Sequence, residues 1–348
     1  MMKKVHAYLI GSLLITGSVV LSQGCTRDTS SDDDLIGNWK KGDDFERDAR
    51  SEAISFTIGD YAYAGTGAGS SNSERFKDIM EYNLARRYWT QKADLPGAAR
   101  SSAVAFSIGN KGYVGTGYSG SARLTDFWEY DQAANQWTQK TAFAGTARYD
   151  AVAFVLNGKA YVGCGNDGNY LKDLWQFDPS GNGGQGSWEQ KASVGGSKRS
   201  AAMAFVVNNT AYICGGNNNG ETQTDLWAYN ETENQWTKKN DIYNATDDSF
   251  DDDYGTIARQ NGVTFVIDNF VYLATGESGT GAINSTTWRY DPSSDRWAEK
   301  TAFEGTGRTG AIAFTLQNRG FVGTGRSGSL LMDNIFEFLP NDEQVDND

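Results

Sequence analysis

The chain has 348 residues, with 44 acidic against 31 basic side chains and a net charge of −13 at pH 7. This balance argues against nucleic acid or anionic lipid as a partner of the folded part. The only histidine is His6, so imidazole chemistry depends on whether the first residues are kept.

The first 24 residues have the pattern of a signal peptide. Lys3 and Lys4 precede a short apolar run, residues 7–21, and a small residue precedes Cys25. This resembles a bacterial lipoprotein processing site, at which Cys25 would carry the lipid; plain secretion is the alternative. Removal of residues 1–24 takes away two lysines and no carboxylate, so the net charge moves from −13 to −15, and it leaves no histidine.

Residues 25–36 are expected to form an acidic, flexible tether. Its residues 31–34, Ser-Asp-Asp-Asp, resemble the tract with which Bacteroidetes-type bacteria send lipoproteins to the cell surface, and a solvated linker is the alternative. We expect an outer membrane lipoprotein exposed at the cell surface. Contact with the membrane would be through the lipid anchor alone.

An internal repeat of roughly 50 residues begins beyond the tether. A tryptophan opens each of six copies: Trp39, Trp89, Trp137, Trp188, Trp236 and Trp297. An arginine follows eleven residues later in five copies, and Arg259 stands twelve residues beyond that offset in the remaining one. Thirteen residues after each arginine comes an aromatic: Tyr63, Tyr113, Tyr161, Tyr212, Tyr272 and Phe321.

Each copy predicts four short strands. An apolar run follows the arginine, a tight turn leads to an aromatic strand ending in glycine, a polar loop leads to a third strand such as 127–130, and the tryptophan opens the fourth. No helical periodicity competes with this pattern. The fold class is therefore all-β, with six four-stranded antiparallel sheets.

The order of the strands predicts how the fold closes. Trp39 has no hairpin before it, and the last copy ends at Phe338 without a tryptophan strand. If the sheets form a ring, residues 39–41 supply the outer strand of the last sheet, which removes exposed edges. We expect a propeller over residues 37–339 and an acidic tail over residues 340–348.

The arginine, the aromatic strand ending in Gly215-Gly216 or a Gly-Thr-Gly variant, the aromatic-Asp pair such as Tyr130-Asp131 and the following tryptophan resemble the kelch repeat. The resemblance implies a six-bladed β-propeller. Kelch propellers serve as protein-binding platforms and include copper radical oxidases of the galactose oxidase type and sialic acid epimerases. The mature chain has no histidine for a copper site, so that oxidase is excluded.

Strand alternation places the loops before the first strands and after the second strands on one rim. Six arginines occupy that rim: Arg50, Arg100, Arg148, Arg199, Arg259 and Arg308. Aspartates recur on it at Asp78, Asp126, Asp173 and Asp225. Either the arginines pair with these aspartates as a structural ring, or some remain free to grip a carboxylate or an acidic peptide.

The insertion before Arg259 carries aromatic and acidic residues on the same rim. Tyr254 is expected to contact a ligand as part of a flap beside the channel mouth. Asp251, Asp252 and Asp253 are weak candidates for a Ca²⁺ site, but their spacing matches no known calcium loop, and we assign no metal and no cofactor.

The preferred function is a non-catalytic, monomeric binding module for a protein or glycan ligand on the arginine rim, without nucleic acid. The alternative is an epimerase or mutarotase acting on a sugar acid, with Glu277 or Glu221 as base. Cys164 and Cys214 are offset by one residue on their strands, which predicts two buried free thiols rather than a disulfide.

Overall fold

The computed structural model describes residues 35–346, and the lipidation candidate Cys25 with the signal and most of the tether lies outside them. These residues form six four-stranded antiparallel sheets, here called blades 1 to 6 in chain order. Two short ladders, Asn217–Asn218 with Glu221–Thr222 and Arg326–Ser327 with Leu330–Leu331, extend from blades 4 and 6.

The strands have these bounds. Blade 1 consists of Ile54–Ile58, Tyr61–Gly65, Ile79–Asn83 and Tyr88–Gln91. Blade 2 consists of Val104–Ile108, Lys111–Gly115, Phe127–Asp131 and Gln136–Lys140. Blade 3 consists of Val152–Leu156, Lys159–Gly163, Leu174–Asp178 and Ser187–Lys191, with a helical turn at Gly181–Gly184. Blade 4 consists of Met203–Val207, Thr210–Cys214, Leu226–Asn230 and Gln235–Lys238. Blade 5 consists of Val263–Ile267, Phe270–Ala274, Thr287–Asp291 and Arg296–Lys300. Blade 6 consists of Ile312–Leu316, Arg319–Gly323, Ile335–Leu339 and Asn38–Lys41.

Ring closure by the first strand is confirmed. Trp39 pairs with Phe338 across the outer edge of blade 6. The Trp39 ring is fully buried, and its Nε1–H donates to Thr287 Oγ1 at 3.1 Å and to the Thr301 carbonyl at 3.2 Å in blade 5. First strands of neighbouring blades contact one another around the whole ring, blade 6 to blade 1 included. The first and last strands of the described residues therefore lie side by side in one sheet.

The repeated aromatic residues form the core between blades. In every blade the second-strand aromatic stacks on a phenylalanine of the first strand, as Tyr113 does on Phe106 at 5.3 Å between ring centroids. Each also meets the third-strand aromatic of the next blade, as Tyr113 meets Phe177 at 5.7 Å. One aromatic side chain of each blade thus packs the second strand on the first strand and also packs the blade against the next blade.

The turn after each second strand has one geometry despite its two sequences. Thr116-Gly117 has φ values of 58° and 97°, and Gly215-Gly216 has 62° and 87°. Gly-Thr-Gly thus replaces the Gly-Gly doublet without changing the turn. Cys164 occupies the threonine position and Cys214 the preceding strand position, and both are buried free thiols, as predicted.

Within residues 35–346 the single helical segment spans four residues, far fewer than a membrane-spanning helix requires.

Candidate functional site

The six repeated arginines stand in the loops that lead into the first strands of the blades. The alternation of strand directions places these loops on one rim. In blades 1 to 4 each donates two hydrogen bonds to the aspartate before the third strand. Arg148, for example, has Nη1 2.6 Å from Asp173 Oδ1 and Nη2 2.8 Å from Oδ2. Its Nη1 also donates to the Cys164 carbonyl. Of the two alternatives that the sequence left open, the structure therefore shows Arg–Asp pairing in these four blades.

None of the six arginine residues reaches the surface, since each has 0% of its area exposed. Their guanidinium groups tie the loop before the first strand to the end of the second strand and the start of the third. The expectation that some of these arginines contact a ligand is therefore wrong. The scaffold residues are Arg50, Arg100, Arg148, Arg199, Arg259 and Arg308. The sequence could not show this, because burial depends on what packs over each loop.

Blades 5 and 6 lack the aspartate. Thr286 takes its place in blade 5, where Arg259 donates to Thr286 Oγ1 at 2.8 Å. Asn334 takes its place in blade 6, where Arg308 Nη1 donates to Asn334 Oδ1 at 2.8 Å and Nη2 has no hydrogen-bond partner. Without a carboxylate partner, burial lowers the pKa of Arg259 to about 9 and that of Arg308 to about 10.

The insertion lies elsewhere than expected. Tyr254 is 2% exposed and packs edge-on against Trp288, and its hydroxyl bonds to both the backbone N–H and the carbonyl of Trp297. Trp297 belongs to the outer strand of blade 5, so Tyr254 covers part of a sheet edge. The expected ligand contact through Tyr254 is wrong, because this side chain is in the core.

Asp251 organises the same insertion. It is 1% exposed and accepts hydrogen bonds from the backbone N–H groups of Ala245 and Thr246 and from Thr246 Oγ1, all at 3.0 Å. Its carboxylate thus closes a loop of its own. No group of three or more His, Cys, Asp or Glu residues with metal-binding geometry occurs within residues 35–346, which include Asp252 and Asp253.

A ring of backbone hydrogen bonds surrounds the channel mouth. The residue two positions after each repeated arginine donates its N–H to the carbonyl of the equivalent residue in the preceding blade. The six members are Glu52, Ser102, Asp150, Ala201, Asn261 and Gly310, and all have φ between 52° and 62°. The left-handed backbone conformation at these six residues points each N–H along the circumference of the mouth toward the preceding blade. The six hydrogen bonds therefore form a closed circle. Five of the six residues line the mouth with their side chains, and Gly310 lines it with its backbone.

Two carboxyl groups share this mouth. Ser102 Oγ–H donates to Glu52 Oε2 at 3.2 Å, and Ser101 Oγ–H donates to the same oxygen at 3.0 Å. The pKa of Asp150 is raised to about 7, mainly by burial and secondly by the charge of the nearby Glu52 carboxylate. A hydrogen bond from Ser102 acts in the opposite direction and lowers this pKa. Asp150 is therefore a carboxyl group that changes charge near neutral pH.

Glu277, which stands in the loop after the second strand of blade 5, is half-buried. Its Oε1 accepts hydrogen bonds from Gln260 Nε2 at 3.1 Å and from Asn261 Nδ2 at 3.4 Å. Neither Glu277 nor Glu221, which stands in the short ladder of blade 4, lines the cleft described next.

A cleft of about 440 Å³ opens beside the mouth over blades 1 to 3. Four side chains form a row along it: the Arg75 guanidinium lies 5.7 Å from the Tyr118 ring centre, Tyr118 lies 5.8 Å from Tyr149, and the Arg123 guanidinium lies 5.6 Å from the Tyr149 ring centre. Glu52, Asp150, Ala122 and three serines complete the lining. Cationic, aromatic and carboxyl groups thus converge in one concave site.

Sequence reasoning missed Arg75 and Arg123 because they do not repeat in all six copies. A usable signal was present: each stands three residues before the aspartate that pairs with the buried arginine of its own blade, Asp78 or Asp126. Both stand in the polar loops between the second and third strands. Which side chains of a variable loop face a cavity depends on the neighbouring blade.

The fold and this rim define a six-bladed β-propeller whose blades are locked by buried arginines. Two family models match the sequence: the KLHDC2/KLHL20/DRC7 Kelch-repeats domain over residues 49–196 and the Kelch motif over residues 198–241. The chain belongs to the kelch-repeat proteins.

A solved structure, described as "Structure of YjhT", is similar with a TM-score of 0.68. The identity is 16%, and the alignment covers 84% of this chain and 95% of that chain. At this identity the likeness shows the fold. No curated protein sequence matches the chain.

Proposed function

We propose that this protein is a binding module that recognises a protein or glycan ligand on the channel-mouth face. Kelch propellers commonly serve as interaction modules, and the cleft lined by Arg75, Tyr118, Tyr149 and Arg123 is the observation that carries the proposal. Arg75 and Arg123 form no ion pair with any carboxylate of residues 35–346. Their charge is therefore available to a ligand, in contrast to that of the buried arginines.

The test blocks the cleft without altering its charges. Ser121 lines the cleft and is exposed, whereas Cys164 and Cys214 are buried, so Ser121→Cys in residues 35–348 offers one reactive thiol for a bulky maleimide. Ser294→Cys, exposed in the turn between third and fourth strands on the opposite rim, is the control. Capture of ligands on a glycan array and from surface-protein extracts should be lost only with the label at residue 121.

An enzyme acting on a sugar acid is the second candidate, and Asp150 favours it. A carboxyl group with a pKa near 7 beside a cleft with two arginines has the properties of a general acid or base. Incubation with free sugar acids, followed by NMR of the anomeric signals, tests this. Accelerated exchange that is lost in Asp150→Asn would make the protein an enzyme and end the binding-only proposal.

We also propose that Cys25 carries a lipid that attaches the protein to the outer membrane, with the propeller at the cell surface. Gly37 N–H donates to the Asp342 carbonyl at the rim opposite the channel mouth, where the fourth strands begin, so the described residues start on the side away from the cleft. Metabolic labelling with an alkyne fatty acid should mark the wild-type protein and leave Cys25→Ala unmarked. Labelling of Cys25→Ala, or of neither protein, would contradict the anchor.

A further inference from the structure

The cleft beside the channel mouth continues into a second cavity. That cavity, of about 280 Å³, lies between the loop at residues 68–72 of blade 1 and the short ladder of blade 6. Arg75 and Glu52 line both cavities. Together they form one groove, here called the three-blade groove, which runs from Arg326 in blade 6 past Arg75 to Arg123 in blade 2. A ligand that fills it is elongated.

Positive charge follows the whole groove. Arg326 lies at one end, with Nη2 3.8 Å from Glu52 Oε1. At the centre, Arg75 donates from Nη1 to the carbonyls of Asn72 and Glu74, and its buried Nε has no hydrogen-bond partner. Arg123 lies at the other end over Tyr149. The spacing of one guanidinium per blade suits a chain of anionic units better than a single anion.

The groove also carries hydrogen-bonding groups that a polyanion does not need. Ser101, Ser102 and Ser121 line one cavity, and Ser51, Ser70 and Ser71 line the other. Glu52 and Asp150 present carboxyl oxygens on the channel side. A ligand whose side groups are all carboxylates, such as a polyacidic peptide, has only its backbone N–H groups to donate to these two groups. A ligand with hydroxyl groups between its carboxylates can pair its carboxylates with the arginines and donate hydrogen bonds from its hydroxyls to Glu52 and Asp150.

Apolar anchors are scarce in the groove. Its lining contains the two tyrosines and Leu331, and the remaining residues are polar, charged, Ala or Gly. Protein partners take most of their affinity from large apolar or aromatic anchors buried in pockets, which this groove does not offer. The tyrosine faces and the density of polar groups match a saccharide, whose ring C–H groups pack on aromatics while its hydroxyls bond to polar side chains.

From this lining we propose that the three-blade groove binds an acidic oligosaccharide, with sugar carboxylates at Arg75 and Arg123 and sugar hydroxyls at Glu52 and the serines. This inference rests on the proposed binding function and selects the glycan class within it. At least two sugar units are required to span both cavities.

Calorimetric titration of the propeller, residues 35–348, tests the proposal with defined probes. Hexamers of galacturonate, mannuronate and hyaluronan supply carboxylates with hydroxyls, maltohexaose supplies hydroxyls without carboxylates, and hexaglutamate supplies carboxylates on a peptide backbone without hydroxyls. At least one acidic hexamer should bind, while maltohexaose and hexaglutamate bind at least about tenfold more weakly. A monomer of the same acidic sugar should also bind more weakly than its hexamer.

Arg75→Gln/Arg123→Gln should weaken binding of the acidic hexamer by about tenfold or more. Arg86→Gln/Arg87→Gln is the matched control, because it removes two exposed charges of blade 1 at the opposite rim, and it should leave affinity unchanged. Equal losses in the two double variants would reduce the effect to net charge and overturn the proposal.

Other outcomes are equally decisive. If none of the three acidic hexamers binds, the acidic-glycan inference fails. In that case, if the propeller captures a protein and the label at residue 121 blocks this capture, the binding function stands and its ligand is a protein. If the label blocks no capture and no hexamer binds, both the inference and the proposed function fail.

Discussion

Arg100 and Asp126 form a bidentate ion pair, with Nη1 2.8 Å from Oδ1 and Nη2 2.6 Å from Oδ2. Trp128 Nε1–H donates to the same Oδ2 at 2.7 Å. Burial acts to raise the pKa of Asp126, but the hydrogen bonds and charge of Arg100 outweigh it and hold that pKa below its usual value. The Asp-x-Trp pattern of blades 2 to 4 thus orients the carboxylate that satisfies a fully buried arginine.

Asp126→Asn should lower the free energy of unfolding by about 2–3 kcal/mol, because it leaves the Arg100 charge buried without a counter-charge. Urea unfolding measures this. The control is Asp44→Asn, which removes an ion pair with Lys41 whose partners are both about half exposed, and it should cost less than about 0.5 kcal/mol. Similar costs for the two variants would contradict the structural role of the ring.

Asn334→Asp should stabilise the protein by about 1 kcal/mol. Arg308 is already buried, so the desolvation cost of the cation has been met, and a carboxylate at residue 334 would supply the partner that its Nη2 lacks. Thermal unfolding at neutral pH measures the change. An unchanged or lower melting temperature would show that the Phe303 and Phe336 rings beside this guanidinium already compensate the charge.

Gly117→Ala and Thr116→Gly form a matched pair in one turn. A Cβ at residue 117 would lie 2.8 Å from the Ser101 carbonyl oxygen at a φ of 97°, so the alanine variant should lose about 2–4 kcal/mol. Thr116→Gly should change stability by no more than about 1 kcal/mol, because blade 4 has Gly215 there with the same φ. Chemical denaturation distinguishes them, and the reverse order of costs would refute the shared turn geometry.

Deletion of residues 1–41 should abolish cooperative folding or lower stability by more than about 4 kcal/mol. It removes the outer strand of blade 6 and the fully buried Trp39 ring, which packs 4.8 Å from Phe303 and 4.7 Å from Phe338. Deletion of residues 1–34 is the control and should leave the unfolding transition unchanged. Circular dichroism during heating measures both, and equal transitions would rule out closure through this strand.

Asp150 should make stability depend on pH. Its pKa is raised in the folded protein to about 7, so the folded state holds this proton more tightly than the unfolded chain. Its contribution is therefore fully present below the unfolded pKa of about 4 and is lost as pH rises through about 7. Asp150→Asn should lack this part of the decline. Its stability relative to the wild type should therefore be higher at pH 8 than at pH 5. Parallel pH profiles would contradict it.

Much of the fold follows from the sequence because the repeat determines which residues face each other on neighbouring strands. An aromatic thirteen residues after each arginine stands directly opposite a phenylalanine across a hairpin, so the offset alone sets the register, as in Phe106 and Tyr113. The unmatched strand at Trp39 set the closure in the same way. The Arg–Asp pairs were one of two open alternatives, and the packing decided between them.

The sequence by itself determined the number of blades, the strand order and the rim on which the arginines stand, because these depend on periodic contacts within and between equivalent copies. The tertiary structure alone decided that those arginines and Tyr254 are buried and that Arg75, Tyr118, Tyr149 and Arg123 share a cleft. The cleft is built from non-repeating loop residues of three blades. Exposure and convergence of such residues depend on distances across the ring, which no local pattern encodes.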